Sequence, residues 1–193
     1  MKLILASSSP RRAEILRHAG IAFEPLPANI DETRWPHEKP VELVERLASS
    51  KAQAATWRAA PPAIVIGADT EVVLDGDIFG KPIGEEDARA MLERLSGRTH
   101  EVITGLCAIR LPGGETRVEH EITRVTFAPM SDKEMGDYVA SGEPFGKAGG
   151  YGIQGRAGRF ITRVEGCYFN VVGLPLARVY RILGEMNARE LSV

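Results

Sequence analysis

This sequence is poor in cysteine, in strong charge of either sign and in long hydrophobic runs, and each shortage excludes something. Its 193 residues include 2 cysteines. Cys107 and Cys167 each lie in an apolar, strand-like run, form no Cys-x-x-Cys pair, and read as reduced core residues of a cytoplasmic protein. The 4 histidines, His18, His37, His100 and His120, are scattered without ligand-like spacing, which argues against a zinc site. With 24 Lys+Arg against 26 Asp+Glu the formal charge is −2, so the chain lacks the net-basic balance expected of a duplex-DNA binder. A local basic cluster could still hold a small anion. No uncharged run approaches the ~20 apolar residues of a spanning helix. Met1–Ala6 mimics the start of a secretion signal, but its short apolar run stops at Ser-Ser-Ser-Pro-Arg-Arg and reads as a strand.

What is present suits one soluble globular domain: 44% hydrophobic and 26% charged residues. A chain of this length buries roughly 70% of its unfolded surface, so its core suffices without disulfides or structural metal. Apolar periodicity and Gly/Pro punctuation predict alternating strands and helices with no linker or internal repeat. Strand Lys2–Ala6 leads into a helix with Ser9 as N-cap and Pro10 at its first position, stopping at Gly20. A short strand near Phe23–Leu26 and a polar loop through Asp31–Arg34 follow, then a long helix over Pro40–Arg58 with Val41, Leu43, Val44, Leu47 and Ala48 on one stripe.

The run Ala63–Ala68 predicts a strand buried on both faces, ending at Asp69-Thr70, with a hairpin at Asp75-Gly76. Glu85–Leu95 is helical. Two strand-like stretches, Arg98–Leu111 and Glu115–Phe127, flank Pro112-Gly113-Gly114. Ser131-x-x-Glu134 is a capping box for a helix ending at Gly142. After the glycine-rich loop Gly146–Gly158 come a second hairpin turning at Gly166 and an amphipathic helix over Pro175–Asn187. Long antiparallel stretches among βα units predict a mixed α/β sheet with flanking helices.

Three constellations could carry chemistry. Ser7-Ser8-Ser9-Pro10-Arg11-Arg12 stands at a strand-to-helix junction, where free N–H groups and arginine forks suit phosphate oxygens; the alternative is a capped surface helix with solvated arginines. Gly67-Ala68-Asp69-Thr70 closes the buried strand, where ligands of α/β sheets gather and a carboxylate can hold a divalent ion or orient water; it could equally be a turn aspartate capping its own backbone. In the third, Gly150-Tyr151-Gly152-Ile153-Gln154-Gly155 fits G-x-G-x-x-G but does not leave a strand and open a helix, so it is no dinucleotide fingerprint. Nor is it a P-loop, since Ala148 follows Lys147. Its glycines still let backbone approach a ligand, and Gln154 could read a base edge. Glu32 offers a second carboxylate, and Lys51 and Lys81 are further phosphate cations, although lone surface charges of these types are commonly just solvated. Carboxylates for a metal, cations for a polyanion and a base-reading loop are what nucleotide phosphate chemistry needs.

Over essentially its whole length the chain resembles the Maf family of nucleoside triphosphate pyrophosphatases. The resemblance rests on the opening Leu-Ala-Ser-x-Ser-Pro-Arg-Arg, Asp31-Glu32-Thr33, Gly67-Ala68-Asp69-Thr70, Gly80-Lys81-Pro82, Lys147–Gly155 and Val171–Leu176, in family order and spacing. Gly146 departs from it where an Asp often precedes the Lys, and Cys167 where a Ser often follows Gly166.

The resemblance implies a single domain over residues 1–193, an elongated α/β fold of the inosine-triphosphatase-like kind with two lobes around a central cleft. It implies hydrolysis of a nucleoside triphosphate to monophosphate and pyrophosphate with Mg²⁺ or Mn²⁺. Asp69 matches the proton acceptor, and Arg12, Glu32, Lys51 and Lys81 match residues that line the phosphate and metal site. Together with the residues read above, this makes Ser7, Ser9, Arg12, Lys51, Lys81 and Lys147 the expected substrate and phosphate contacts and Glu32 and Asp69 the expected metal carboxylates. Arg11, Thr70 and Gln154 match the positions that mark the branch acting on dTTP and UTP. The expected partner is the nucleotide, with no nucleic acid or membrane involved and a homodimer as the candidate assembly. The rival expectation is a regulator of septum formation and cell division that binds nucleotide or protein without turnover.

Overall fold

The computed structural model describes residues 1–186, so the predicted helix end at Asn187 lies outside the described residues. In chain order the elements are β1 (Lys2–Leu5), α1 (Pro10–His18), β2 (Glu24–Pro25), α2 (Pro40–Thr56), β3 (Ala63–Leu74), β4 (Asp77–Phe79), α3 (Glu85–Leu95), β5 (Thr99–Leu111), β6 (Thr116–Phe127), α4 (Asp132–Ala140), β7 (Ile161–Glu165), α5 (Tyr168–Val172) and α6 (Leu176–Glu185). The fold is mixed α/β. One 7-stranded sheet runs β2-β1-β3-β5-β6-β7, with β4 paired to β3. β1 is parallel to β2 and β3, whereas β4 is antiparallel to β3 and β7 to β6. No helix among the described residues is long and apolar enough to cross a membrane.

The chain divides into two compact units. Among the described residues the first takes Met1–Asp69, Thr104–Glu121 and 173–186, the second Thr70–Ile103 and Ile122–Val172; β3, β5 and β6 contribute residues to both.

In the first unit α2 is the organising helix. Pro40 occupies its first position, where no N–H is needed, and Glu42 Oε2 accepts from the Lys39 backbone N–H at 3.0 Å. Leu43, Val44, Leu47 and Ala48 form the predicted buried stripe, which continues through Lys51, Ala52 and Ala55, while Val41 sits at its half-buried edge. The helix can press against the sheet because two strand positions carry no side chain. A Cβ on Gly67 of β3 would stand 2.1 Å from the Ala48 carbonyl oxygen, and one on Gly105 of β5 would stand 2.2 Å from that of Val44. Ala48, Ala52 and Ala55 then pack on Ile4, Val65 and Cys107.

The second unit has its own core, with Val72, Leu92, Leu95, Val125, Phe127, Tyr138 and Phe160 among its members. Leu74 and Asp77 pair across a two-residue hairpin loop in which Asp75 and Gly76 both take positive φ, 55° and 85°. That is the backbone an Asp-Gly hairpin demands. Ser131 caps α4 by accepting from the Glu134 N–H, and Glu134 returns the bond to the Ser131 N–H.

Ser9 is the N-cap residue of α1, as predicted, although its hydroxyl makes no capping bond; its own N–H donates to Ser7 Oγ at 3.2 Å. Two expectations need correction. The strand at Ala63 does not end before Asp69. Glu71-Val72-Val73-Leu74 carries it on to the Asp75-Gly76 turn, held by antiparallel pairing to β4, so Asp69 and Thr70 are mid-strand residues. No hairpin turns at Gly166. β7 already pairs with β6, and the chain goes on into α5, where the buried Asn170 side chain donates to the Val102 carbonyl and to Thr123 Oγ1. Thr123 in turn bonds both the N–H and the carbonyl of Cys167, fixing a helical turn where apolar composition alone suggested a strand. Cys107 is buried and Cys167 half-buried, and both are free thiols.

His100 of β5 lies in the second core at 1% exposure, between Phe127 and Tyr151, with Nε2 bonded to the Tyr151 hydroxyl at 2.7 Å. Burial lowers its pKa from 6.5 to about 4. Below pH 6.5 the unfolded chain therefore takes a proton that the folded chain refuses until about pH 4, and stability falls across that window. The loss should approach about 3 kcal/mol. Urea titrations of wild type and His100→Gln from pH 7 to 4 check this: the mutant should lack that component of the pH slope, and identical slopes would contradict it.

Candidate active site

Three predicted site residues, Lys51, Asp69 and Glu32, meet in the first unit. Because α2 rides against β3 at Gly67, the Lys51 side chain reaches Asp69, with Nζ 2.6 Å from Oδ1. The same ammonium stands 2.6 Å from Glu32 Oε1. Lys51 and Asp69 are 8% and 7% exposed, whereas the Glu32 side chain is 46% exposed, so the cluster is closed beneath and open above. The second carboxylate oxygen, Asp69 Oδ2, is buried and has no hydrogen-bond partner among the described residues. A buried anionic oxygen in that state is costly unless something polar comes to it.

Beside this cluster the serine-arginine segment behaves differently from a solvated helix start. Arg12 is buried, with Nε donating to the Gly173 carbonyl at 2.8 Å and Nη1 to Ser7 Oγ at 3.2 Å. Two polar acceptors thus hold its fork in place. Arg11 is half-buried, and burial draws its guanidinium below the ordinary value, opposed by Glu14. The Arg12–Gly173 bond also gives the Val171–Leu176 segment a role its composition does not announce, since its Gly173 carbonyl serves a residue 161 positions away.

Thr70, Lys81, Lys147 and Gln154 belong to the second unit. Thr70 is half-buried in β3, Lys81 is exposed after β4, and Gln154 is exposed in the glycine loop. That loop is anchored on both sides of Gln154. Gly152 N–H donates to the Tyr138 hydroxyl at 3.3 Å, and Arg156 N–H donates to Glu143 Oε2 at 2.9 Å. Tyr138 donates to Glu143 Oε1 at 3.0 Å, and Lys147 Nζ donates to the Glu143 carbonyl oxygen. Burial works to raise the Glu143 pKa, but the bonds from Arg156, Tyr138 and Ala157 outweigh it and hold the carboxyl below its ordinary value. Gly155 leaves room for that carboxylate, since a Cβ there would stand 2.3 Å from Glu143 Oε1 and push it off these bonds. Glu143 and Tyr138 escape sequence reasoning; the only signal is that Glu143 stands just ahead of Lys147 in the glycine-loop segment.

The model for Maf-like proteins matches residues 2–186. The chain belongs to the Maf-like family. It is 53% identical over 186 residues to the dTTP/UTP pyrophosphatase of Symbiobacterium thermophilum, covering 96% of this chain and 94% of that one. Its identity to the dTTP/UTP pyrophosphatase of Koribacter versatilis is 52%, covering 95% and 93%. To that of Syntrophomonas wolfei it is 48%, covering 97% and 98%. Among solved structures, this Maf-like chain is partly similar to a nucleoside-triphosphatase, dITP/XTP pyrophosphatase, of Mycobacterium abscessus: TM-score 0.42 and 17% identity over 67% of this chain and 76% of that one.

The buried Lys51–Asp69 pair of the Maf-like chain makes a stability prediction. Lys51→Met strands the Asp69 carboxylate without its cation and should cost about 3–5 kcal/mol. Lys51→Met with Asp69→Asn should recover more than half of that loss, read from urea midpoints at unchanged m-value. Equal losses in the single and double variants would show that the pair is not electrostatically coupled.

Proposed function

We propose that the chain hydrolyses dTTP and UTP to nucleoside monophosphate and pyrophosphate, with the Asp69–Lys51–Glu32 cluster as its reaction centre. The observation that carries this is one ammonium 2.6 Å from each of two carboxylates, one of which keeps a buried oxygen without a partner among the described residues. Family membership and the names of the similar pyrophosphatases support it. On this reading the chain is a single catalytic domain of the cytoplasm, with a homodimer as the assembly to test.

Asp69 Oδ2 accepts a proton from, or orients, the attacking water. Lys51 holds the other oxygen of that carboxylate, so the side chain cannot turn away from its task. The donor set suits a hard divalent cation, because two carboxylates plus substrate phosphate oxygens and water are the ligands Mg²⁺ accepts. Asp69 and Glu32 would hold Mg²⁺ or Mn²⁺, which when bound supplies neutralisation of the triphosphate and a more acidic water. Arg12, fixed by Ser7 and Gly173, presents its guanidinium to the phosphates without first having to be ordered, and Ser7, Ser9, Lys81 and Lys147 add donors and positive charge. Arg11, Thr70 and Gln154 choose the base. The Gln154 amide has both the donor and the acceptor that the N3–H and O4 of uracil or thymine require. No observation favours the septation regulator without turnover.

Asp69→Asn should bind a non-hydrolysable UTP analogue as wild type does, yet turn over UTP on the order of 10²–10⁴-fold more slowly. EDTA should abolish wild-type release of pyrophosphate and Mg²⁺ should restore it. Near-wild-type turnover by Asp69→Asn at saturating metal would contradict the assignment.

A further inference from the structure

Glu32 is the weak point of the cluster. It lies in a segment with neither helix nor strand, residues 26–39, and at 46% side-chain exposure its ion pair with Lys51 is too solvated to order that segment alone. Something else has to hold it. The holding contacts centre on Glu38, the one buried residue of residues 31–38, at 6% exposure. Its carboxylate accepts a two-pronged bond from Arg46 of α2, Nε to Oε1 at 2.5 Å and Nη2 to Oε2 at 2.8 Å. Oε2 also accepts from the Trp35 N–H at 3.1 Å, and the Glu38 carbonyl takes both Arg34 Nε and Nη2.

Arg46 reaches further than its carboxylate partner. Nη2 also donates to the carbonyl of Thr33, next to Glu32 in the chain, at 3.1 Å, and the guanidinium carbon lies 4.2 Å from the centre of the Trp35 ring. The hydrogen bond to Glu38 above all, with Asp31 and Asp69 as further contributors, raises the Arg46 pKa, so its charge is felt by both the loop and the reaction centre. Arg46 and Lys51 lie on the same helix. One rigid element therefore carries both the cation that Glu32 touches and the fork that fixes the loop beside it.

We infer that Arg46 and Glu38 are positioning residues: their two-pronged pair clamps the segment from Thr33 to Glu38 onto α2 and thereby sets Glu32 against Lys51 and Asp69. The inference rests on the reading of Glu32 as a carboxylate of the reaction centre. Arg46→Lys keeps the charge but loses the fork, and Glu38→Gln keeps the shape but loses the charge.

The sequence has 2 tryptophans, so a Trp57→Phe background leaves Trp35 as the only reporter. In that background Arg46→Lys and Glu38→Gln should each make Trp35 more accessible to acrylamide quenching. Each should also weaken binding of Mn²⁺ alone, followed by electron paramagnetic resonance, by roughly tenfold, the lower end for partners that orient metal ligands. kcat/KM for UTP should fall with it. In a Glu32→Gln chain the same substitutions should change Mn²⁺ affinity by less than about twofold, because the group they act through is already gone. Equal losses with and without Glu32 would overturn the clamp while leaving the reaction centre intact. So would a freed Trp35 with unchanged Mn²⁺ affinity. If Glu32→Gln itself alters neither Mn²⁺ binding nor turnover, Glu32 leaves the reaction centre and the clamp's purpose goes with it.

Discussion

The close approach of α2 to the sheet at Gly67 and Gly105 governs the first unit, because no other residue at those positions leaves room for the helix carbonyls of Ala48 and Val44. The approach brings the Lys51 ammonium within 2.6 Å of a carboxylate on the strand it packs against. In stability terms such a pair is a poor investment, since desolvating both ions offsets most of their attraction and an apolar pair of like volume would serve as well. An ammonium and a carboxylate already stripped of water and fixed in position are, however, what phosphoryl chemistry needs, with no reorganisation left for the moment of reaction. The alanines of α2 support the same geometry by keeping the helix surface low where it meets β1 and β3.

Two segments that bear candidate site residues, one in each unit, are each tied by a carboxylate rather than by a core of their own. Glu38 collects Arg46, Arg34 and Trp35 for the segment that bears Glu32. Glu143 collects Tyr138, Arg156 and Lys147 for the segment that bears Gln154. In both, one carboxylate accepts from backbone N–H as well as from a side chain, so a segment without α-helix or strand keeps a defined path. The buried Arg12 bonds to Ser7 and Gly173 act in the same way from the cationic side.

What could be read from the sequence was what is decided locally. Asp75-Gly76 specifies its own hairpin through positive φ, Ser131 and Glu134 write their own cap, and the stripe of α2 names its buried face. Asp69 was singled out for its company but misplaced in the fold. Its neighbours Gly67-Ala68 resemble a strand end, and only pairing with β4 shows that β3 continues past it. Cys167–Val172 misled for the converse reason: its composition is that of a strand, while the Asn170 bonds to Val102 and Thr123 that bend it into a helix come from residues distant in the chain. The Lys51, Asp69 and Glu32 contacts, the Glu38–Arg46 pair and the Arg12–Gly173 bond all depend on which segments pack together. Spacing along one chain does not encode that.

The central claim is that the chain hydrolyses UTP to UMP and pyrophosphate, with water bonding to the phosphorus nearest the sugar as the bond from that phosphorus to the departing pyrophosphate breaks. Hydrolysis of UTP in ¹⁸O-water, with the products resolved by phosphorus NMR, tests it most directly, because the label marks the atom attacked. The account predicts that wild type releases pyrophosphate and places one ¹⁸O in UMP and none in pyrophosphate. Label in pyrophosphate, or in orthophosphate released as a primary product, would contradict it.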